Sequence, residues 1–286
     1  MKRWILGVLA CFAAAQAWAG GAVSPYAYEL TRIPVTENFS IPITNSMVMM
    51  WGVSLVLIVV IRLMARKAAL VPGRGQSVVE MIIEGVSGLI EPIVGKRLVR
   101  PTFWLLSGFF VVILIHNWSS LLPGVGTFGT MDEDGHFRYW MRPANADLNT
   151  TLALAAIAQV AWFYYVVRYA GLGFLLKDLF GNKADKKEVP RLIYIFLFPI
   201  FFFVGMIEMV SIAFRLVSLS FRLFGNVFGG ENLIVNMMDM MPWVLPVPFY
   251  LLELLIGVIQ ATVFTLLVSV YIGLICNHES EEGHAH

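Results

Sequence analysis

Residues 218–233 read SLSFRLFGNVFGGENL, and this stretch decides how the whole chain is interpreted. The surrounding segment consists mostly of Leu, Ile, Val, Phe and Met, as in a helix that lies in lipid, yet it carries Arg222, Asn226 and Glu231. A charged group at the centre of a bilayer costs about 2.5–3.5 kcal/mol by insertion measurements, so such residues usually mark function. The stretch therefore predicts a membrane helix with a functional polar site.

The composition of the 286 residues is typical of a membrane protein. Hydrophobic residues make up 58% of the chain and charged residues 14%, whereas soluble domains are about a quarter charged. The net charge of +1 offers no basic surface for nucleic acid. The sequence shows no internal repeat, which argues against an inverted-repeat transporter. We predict one all-α polytopic membrane domain.

The N-terminus has the pattern of a signal peptide. Two basic residues precede an apolar stretch, and Ala17-Trp18-Ala19 then forms an A-x-A cleavage site. An uncleaved N-terminal anchor is the alternative. We predict a cleaved signal peptide at 1–19, an exported segment at 20–45, a membrane domain at 46–277 and a disordered cytoplasmic tail at 278–286.

Apolar runs predict about five membrane crossings. The runs are 38–61, 102–122, 148–167, 192–241 and 249–275. Basic residues cluster after the first run, beginning with Arg62 and Arg66, and place its end in the cytoplasm. The mature N-terminus is therefore expected outside and the C-terminus inside.

Two segments depart from a simple span. The run 192–241 would be roughly 75 Å long as a helix, against a bilayer core of about 30 Å. We expect it either to break at Pro199 or Gly205 or to lie strongly tilted, with 249–275 completing a helical hairpin. Residues 77–94 alternate polar and apolar faces at helical spacing. They predict an amphipathic helix at the cytoplasmic interface or against other spans.

Polar residues form one stripe along the 192–241 run. Glu208, Arg215 and Arg222 are each seven residues apart, so they lie within about 20° of one face. Ser218 and Asn226 stand four residues on either side of Arg222 and extend the stripe. An ion pair between Glu208 and Arg215 is the purely structural alternative. Gly225, Gly229 and Gly230 also suit a small-residue surface for helix packing.

The hairpin turn at 241–248 predicts how the last two runs pair. Folding there puts Gln260 beside about position 229 and Glu253 beside about position 236, with a rise of about 1.5 Å per residue. Both Glu231 and Glu253 then lie on the exported side of Arg222. An order of acid, cation and acid across the membrane is what two offset half-channels for ions need.

At these residues the chain resembles a known family. The motif RLFGN at 222–226, followed by Glu231 and Gln260, resembles the signature of subunit a of the F-type ATP synthase. NWSSLLPG at 117–124 and ADLNTTLALA at 146–155 resemble the same family, and the resemblance covers about 45–277. It implies a stator in the bacterial inner membrane, whose helical hairpin lies beside a rotor ring of subunit c.

The resemblance also implies site residues and partners. The essential arginine falls on Arg222, where its cation attracts the ring carboxylate and blocks leakage between half-channels. The family's other positions fall on Asn226, Glu231 and Gln260, with Glu208 and Ser218 on the cytoplasmic path. Some relatives have His where this chain has Glu253, so here the exported half-channel would titrate as a coupled carboxyl pair. Implied partners are the subunit c ring, subunit b of the peripheral stalk and other ATP synthase subunits.

The resemblance implies neither a cofactor nor a catalytic residue, because ATP chemistry belongs to other subunits. The sequence accordingly contains no G-x-x-x-x-G-K-[ST] motif. A proton-coupled secondary transporter using the same polar stripe is the main alternative. A third hypothesis is an intramembrane hydrolase built on His116, Ser119 and Ser120. Both H⁺ and Na⁺ remain candidate ions.

Overall fold

The structure, a computed structural model, consists mainly of long apolar helices. It describes residues 27–36, 39–66, 72–122, 125, 129–131, 137–173, 191–241 and 244–282. Within them lie α1 Asn45–Met64, α2 Arg74–Val94, α3 Lys96–Ser119, α4 Leu148–Tyr169, α5 Arg191–Met240 and α6 Pro246–Glu282. All but α2 are long and apolar enough to cross a membrane, which confirms the five predicted crossings.

Two short antiparallel hairpins were not predicted from the sequence. They are β1 Glu29–Thr36 with β2 Phe39–Thr44, and β3 Gly129–Met131 with β4 Phe137–Tyr139. The first hairpin belongs to the predicted exported segment at 20–45, and the second lies between α3 and α4. The predicted signal peptide at 1–19 lies outside the described residues. At the other end, α6 continues to Glu282, so the expectation of a disordered tail is wrong for 278–282.

The starts of two spans are fixed by side-chain caps. The Thr44 hydroxyl accepts a hydrogen bond from the backbone N–H of Met47 at the start of α1. The Asp147 carboxylate accepts one from the N–H of Asn149 at the start of α4. Such caps satisfy N–H groups that have no partner within the helix. The polar residues before each span therefore fix where the span begins.

Helix α2 is amphipathic, as predicted, and it packs against other helices. Its buried residues are Val86, Ile90 and Val94, which repeat every four residues along one face. That face lies against α3 and α6. Of the two predicted locations, packing against the spans is the one observed.

Helix α5 is continuous over 50 residues, with Pro199 inside it. The predicted break at Pro199 or Gly205 is therefore wrong, and strong tilt is the alternative that remains. A helix of this length measures roughly 75 Å, more than twice the bilayer core. A break in the helix would free backbone N–H and C=O groups, and at membrane depth no water is present to pair with them. This favours an unbroken helix.

The core lies between α2, α3, α4, α6 and one face of α5. Phe264 of α6 and Phe109 of α3 meet edge to face, with ring centroids 5.4 Å apart. Leu219 and Leu223 bring α5 into the same cluster. On its other side α5 exposes large apolar side chains, including Phe214 at 64%. One face of α5 is therefore held by the bundle, and the opposite face is not covered by any of the residues that the structure describes.

Candidate functional site

Arg222 lies on the uncovered face of α5, where it is exposed. The neighbouring Leu219, Leu223 and Val227 are buried on the opposite face. Among the residues that the structure describes, no ion pair involves Arg222. Ser218, one turn earlier, is exposed as well. The central part of the predicted polar stripe, at Ser218 and Arg222, therefore faces away from the helix bundle.

Asn226 connects this stripe to α6. Its side-chain Nδ2 donates a hydrogen bond of 2.7 Å to Oε1 of Gln260. Gln260 is 4% exposed, and its buried Nε2 has no hydrogen-bond partner within the described part of the chain. The structure therefore brings together two of the residues predicted for the site and leaves a buried donor beside them.

The Glu253 carboxyl lies directly over Gly230 of α5. Glu253 is 8% exposed. A Cβ built on Gly230 would overlap the carboxyl group, with Oε1 only 2.5 Å away. Only glycine at 230 leaves room for an acid to approach the α5 backbone so closely. Because Gly230 precedes Glu231 in the chain, the two predicted acids belong to one neighbourhood.

The predicted register of the hairpin is wrong by three to six residues. Gln260 contacts position 226 instead of 229, and Glu253 contacts 230 instead of 236. The prediction assumed a symmetric turn and counted helical rise alone. In the structure the register is held by the Asn226–Gln260 hydrogen bond and by the fit of Glu253 over Gly230. With the observed register, Glu253 and Glu231 still both lie between Arg222 and the hairpin turn.

Glu231 approaches a cation that the sequence analysis did not single out. Its Oε2 is buried without a hydrogen-bond partner among the described residues, and its carboxylate interacts electrostatically with Arg142. Burial lowers the pKa of the Arg142 guanidinium, while the negative charges of Glu231 and Asp147, together with Tyr28, act to raise it. A guanidinium nevertheless stays charged at working pH.

Arg142 belongs to a buried polar segment between β4 and α4. All of 142–147 is buried, and it includes a 3₁₀ turn at Ala144–Ala146 that packs against α5 and α1. Asn145 Nδ2 donates to Asn117 Oδ1 at 2.7 Å, and Ser46 Oγ donates to Asp147 Oδ2 at 2.6 Å. Asn117 of the motif at 117–124 thus contacts the residue directly before the motif at 146–155. The polar run RPANADLN beside a span is the signal that could have revealed this segment.

On the predicted cytoplasmic side the structure separates Glu208 from Arg215. Both residues are described and half-buried, and no ion pair joins them. The Arg215 guanidinium instead lies over the ring of Tyr271, 4.3 Å from its centroid, and 5.9 Å from that of Trp162. The structural alternative of a Glu208–Arg215 ion pair is therefore not observed, and the Arg215 cation contacts two aromatic rings instead.

The hydrolase hypothesis finds no support in the geometry. The Ser119 and Ser120 hydroxyls donate to the backbone carbonyls of His116 and Asn117. The His116 Nδ1 pairs with the carbonyl of Val112 at 2.8 Å, and none of these serines is paired with the imidazole. In the described part of the chain no group of three or more His, Cys, Asp or Glu side chains could hold a metal ion.

Comparisons with known proteins found one matching family and several similar relatives. The family described as "ATP synthase A chain" matches residues 47–273. "ATP synthase subunit a" of Moorella thermoacetica is 34% identical over 246 residues, which cover 85% of this chain and 97% of that relative.

Two further relatives give similar figures. "ATP synthase subunit a 2" of a Bradyrhizobium species is 31% identical over 233 residues, covering 82% of this chain and 89% of the relative. "ATP synthase subunit a" of Aliarcobacter butzleri is 29% identical over 227 residues, covering 79% and 86%. The similarity therefore extends over nearly the full length of these proteins and includes all five spans.

Proposed function

The chain belongs to the ATP synthase A chain family, and from this premise we propose how its helices carry ions. It is a multi-pass stator subunit of the membrane sector of the F-type ATP synthase. We propose that it provides two offset half-channels, through which H⁺ reaches and leaves the carboxylates of a rotating subunit c ring. Na⁺ is the alternative ion. The subunit itself is non-catalytic.

The observation that carries this proposal is the placement of Arg222. A cation at membrane depth that has no ion-pair partner among the described residues is costly, so an acid from another subunit is its natural partner. Ser218, Gly225 and Gly229 are small and exposed beside it, which lets a second helix approach closely. A neighbouring cation favours the ionised form of a carboxylate. Arg222 would therefore release the ion from each ring carboxylate that passes.

The flanking polar residues supply the two paths. Glu231 and Glu253, with Asn226 and Gln260, form the exported path that ends near Arg222. Glu208 and Ser218 form the cytoplasmic path.

The proposed setting is the bacterial inner membrane. The mature N-terminus is exported and the C-terminus is cytoplasmic. Subunit b of the peripheral stalk is a further partner, alongside the subunit c ring.

Replacement of Arg222 in the whole complex tests the proposal. We expect Arg222→Ala to abolish coupled ATP synthesis in reconstituted vesicles while leaving assembly intact, because the apolar surroundings are unchanged. Arg222→Lys should fail as well, since an ammonium lacks the planar guanidinium fork. Phe214→Leu on the same exposed face is the control. ATP synthesis at native rates in either Arg222 variant would contradict the proposal, and runs with and without Na⁺ identify the ion.

No observation favours the alternative of a proton-coupled secondary transporter. That hypothesis requires a solute cavity at the polar stripe, whereas the cavity of about 580 Å³ between α2 and α3 is lined by no α5 residue. Membership of the ATP synthase family explains the same polar stripe without a solute. Co-purification with a ring of small hairpin subunits is the simplest check.

A further inference from the structure

Arg142 is a buried cation outside the set of residues predicted for ion translocation. It is 4% exposed and precedes the 3₁₀ turn that packs against α5. Its Nη2 donates to the carbonyl oxygen of Ala146 at 3.2 Å. The segment is tied to α3 through Asn145 and Asn117, and to α1 through Asp147 and Ser46. Arg142 is therefore held in place from several sides.

Two acids, Asp147 and Glu231, interact electrostatically with Arg142. They differ in the hydrogen bonds that their carboxylates accept. Both carboxylate oxygens of Asp147 already accept hydrogen bonds, from Ser46 Oγ at 2.6 Å and from the N–H of Asn149 at 3.0 Å. Glu231 has a buried Oε2 without a hydrogen-bond partner among the described residues. A buried carboxylate in that state stays ionised only with a counter-charge, and without one it takes up a proton. Of the two acids, Glu231 is therefore the one whose negative charge depends more on the Arg142 guanidinium for stabilisation.

We propose that Arg142 is the positioning residue of the exported half-channel, a fixed counter-charge that holds Glu231 buried in its ionised, ion-accepting form. This inference rests on the proposed function. A guanidinium does not lose its proton at working pH, so its contribution is constant while the acids titrate. The loop between α3 and α4 thereby takes part in ion translocation, a role that the sequence analysis assigned to the long hairpin alone.

The counter-charge makes the two channel acids unequal. Glu231 has Arg142 as an electrostatic partner, whereas Glu253 lies over the α5 backbone at Gly230. Other titratable groups around this region are Asp147 before α4, His116 on α3 and Tyr28 before β1. Two acids with different affinities for the ion favour its transfer from one acid to the other, whereas two equivalent acids would share it.

The test measures passive ion flux through the whole complex in vesicles as a function of pH on the exported side. Removing a nearby cation disfavours the ionised carboxylate by about 1–3 pH units. We expect Arg142→Gln to lower flux at neutral pH about tenfold and to move the flux midpoint about one unit toward higher pH. Arg142→Lys keeps the charge and should keep the midpoint. Arg32→Gln, which removes an exposed arginine paired with Glu29, should change neither.

A double variant separates a charge effect from a structural one. In the Glu231→Gln background, Arg142→Gln should cause no further loss of flux, because the charge that it offsets is gone. A further loss as large as in the native background would overturn the inference. If Glu231→Gln alone leaves flux unchanged, the proposed exported path fails instead.

Assembly provides a second measurement should Arg142→Gln reduce the amount of complex. Truncating one member of a buried charge pair leaves the other uncompensated. The double variant Arg142→Gln/Glu231→Gln should therefore assemble better than Arg142→Gln alone. Equal assembly defects in the two would show that Arg142 only supports the fold of the loop, and the inference would be wrong.

Discussion

Replacing Gly230 by Ala tests whether the position of the Glu253 carboxyl controls ion flow. The new Cβ would overlap that carboxyl and would lie 2.5 Å from Oε1. Non-bonded heavy atoms pack at about 3.5 Å or more, and Oε2 lies closer to the new Cβ than Oε1 does, so the carboxyl has to move by more than about 1 Å. The group that must move is the end of a flexible side chain, not backbone. The helices can therefore stay packed while Glu253 turns away from α5.

We expect Gly230→Ala complexes to assemble in native amounts and to carry ions roughly tenfold more slowly. A misplacement of about 1 Å in a reacting group can cost up to 10²-fold in rate. Alanine also favours a helix over glycine by about 1 kcal/mol, so weakened α5 would not explain the loss. The assay is passive flux through the reconstituted complex. Glu253→Asp shortens the side chain by one methylene and should restore part of the flux in the Gly230→Ala background.

Gly52→Ala is the matched control, because it adds the same methyl group to α1. Nothing lies within 4 Å of a Cβ at that position. Flux in this variant should equal the native value. Native flux in Gly230→Ala, or an equal loss in Gly52→Ala, would refute the argument that contact with α5 sets the working position of Glu253.

Three further predictions concern the rest of the chain. Glu231→Gln and Glu253→Gln should each slow flux partly and flatten its pH dependence, and both together should slow it far more; an unchanged pH profile in Glu253→Gln would contradict a paired-acid path. Tyr271→Leu should destabilise the subunit by about 0.5–2 kcal/mol through loss of the cation–π contact with Arg215, measured by thermal unfolding, and Tyr271→Phe should not. Mass measurement of the purified subunit should show cleavage after Ala19, whereas a retained N-terminus would indicate an anchor.

The sequence alone was sufficient for the membrane spans and for the polar stripe on α5. Transfer into lipid acts on each stretch of chain by itself, so a long apolar run identifies a span wherever its neighbours lie. Helical periodicity likewise places Arg215, Ser218 and Arg222 on related positions without knowledge of the fold. These features depend on residues close together in the chain, and the structure confirms the five predicted spans.

Only the tertiary structure decided which polar groups meet. The hairpin register follows from the fit of Glu253 over Gly230 and from the Asn226–Gln260 hydrogen bond, neither of which is visible in a count of residues. Arg142 approaches Glu231 across 89 positions of sequence because the buried 3₁₀ turn packs on α5. Such contacts depend on side-chain shape and charge between distant segments. Local hydrophobicity and periodicity carry no information about them.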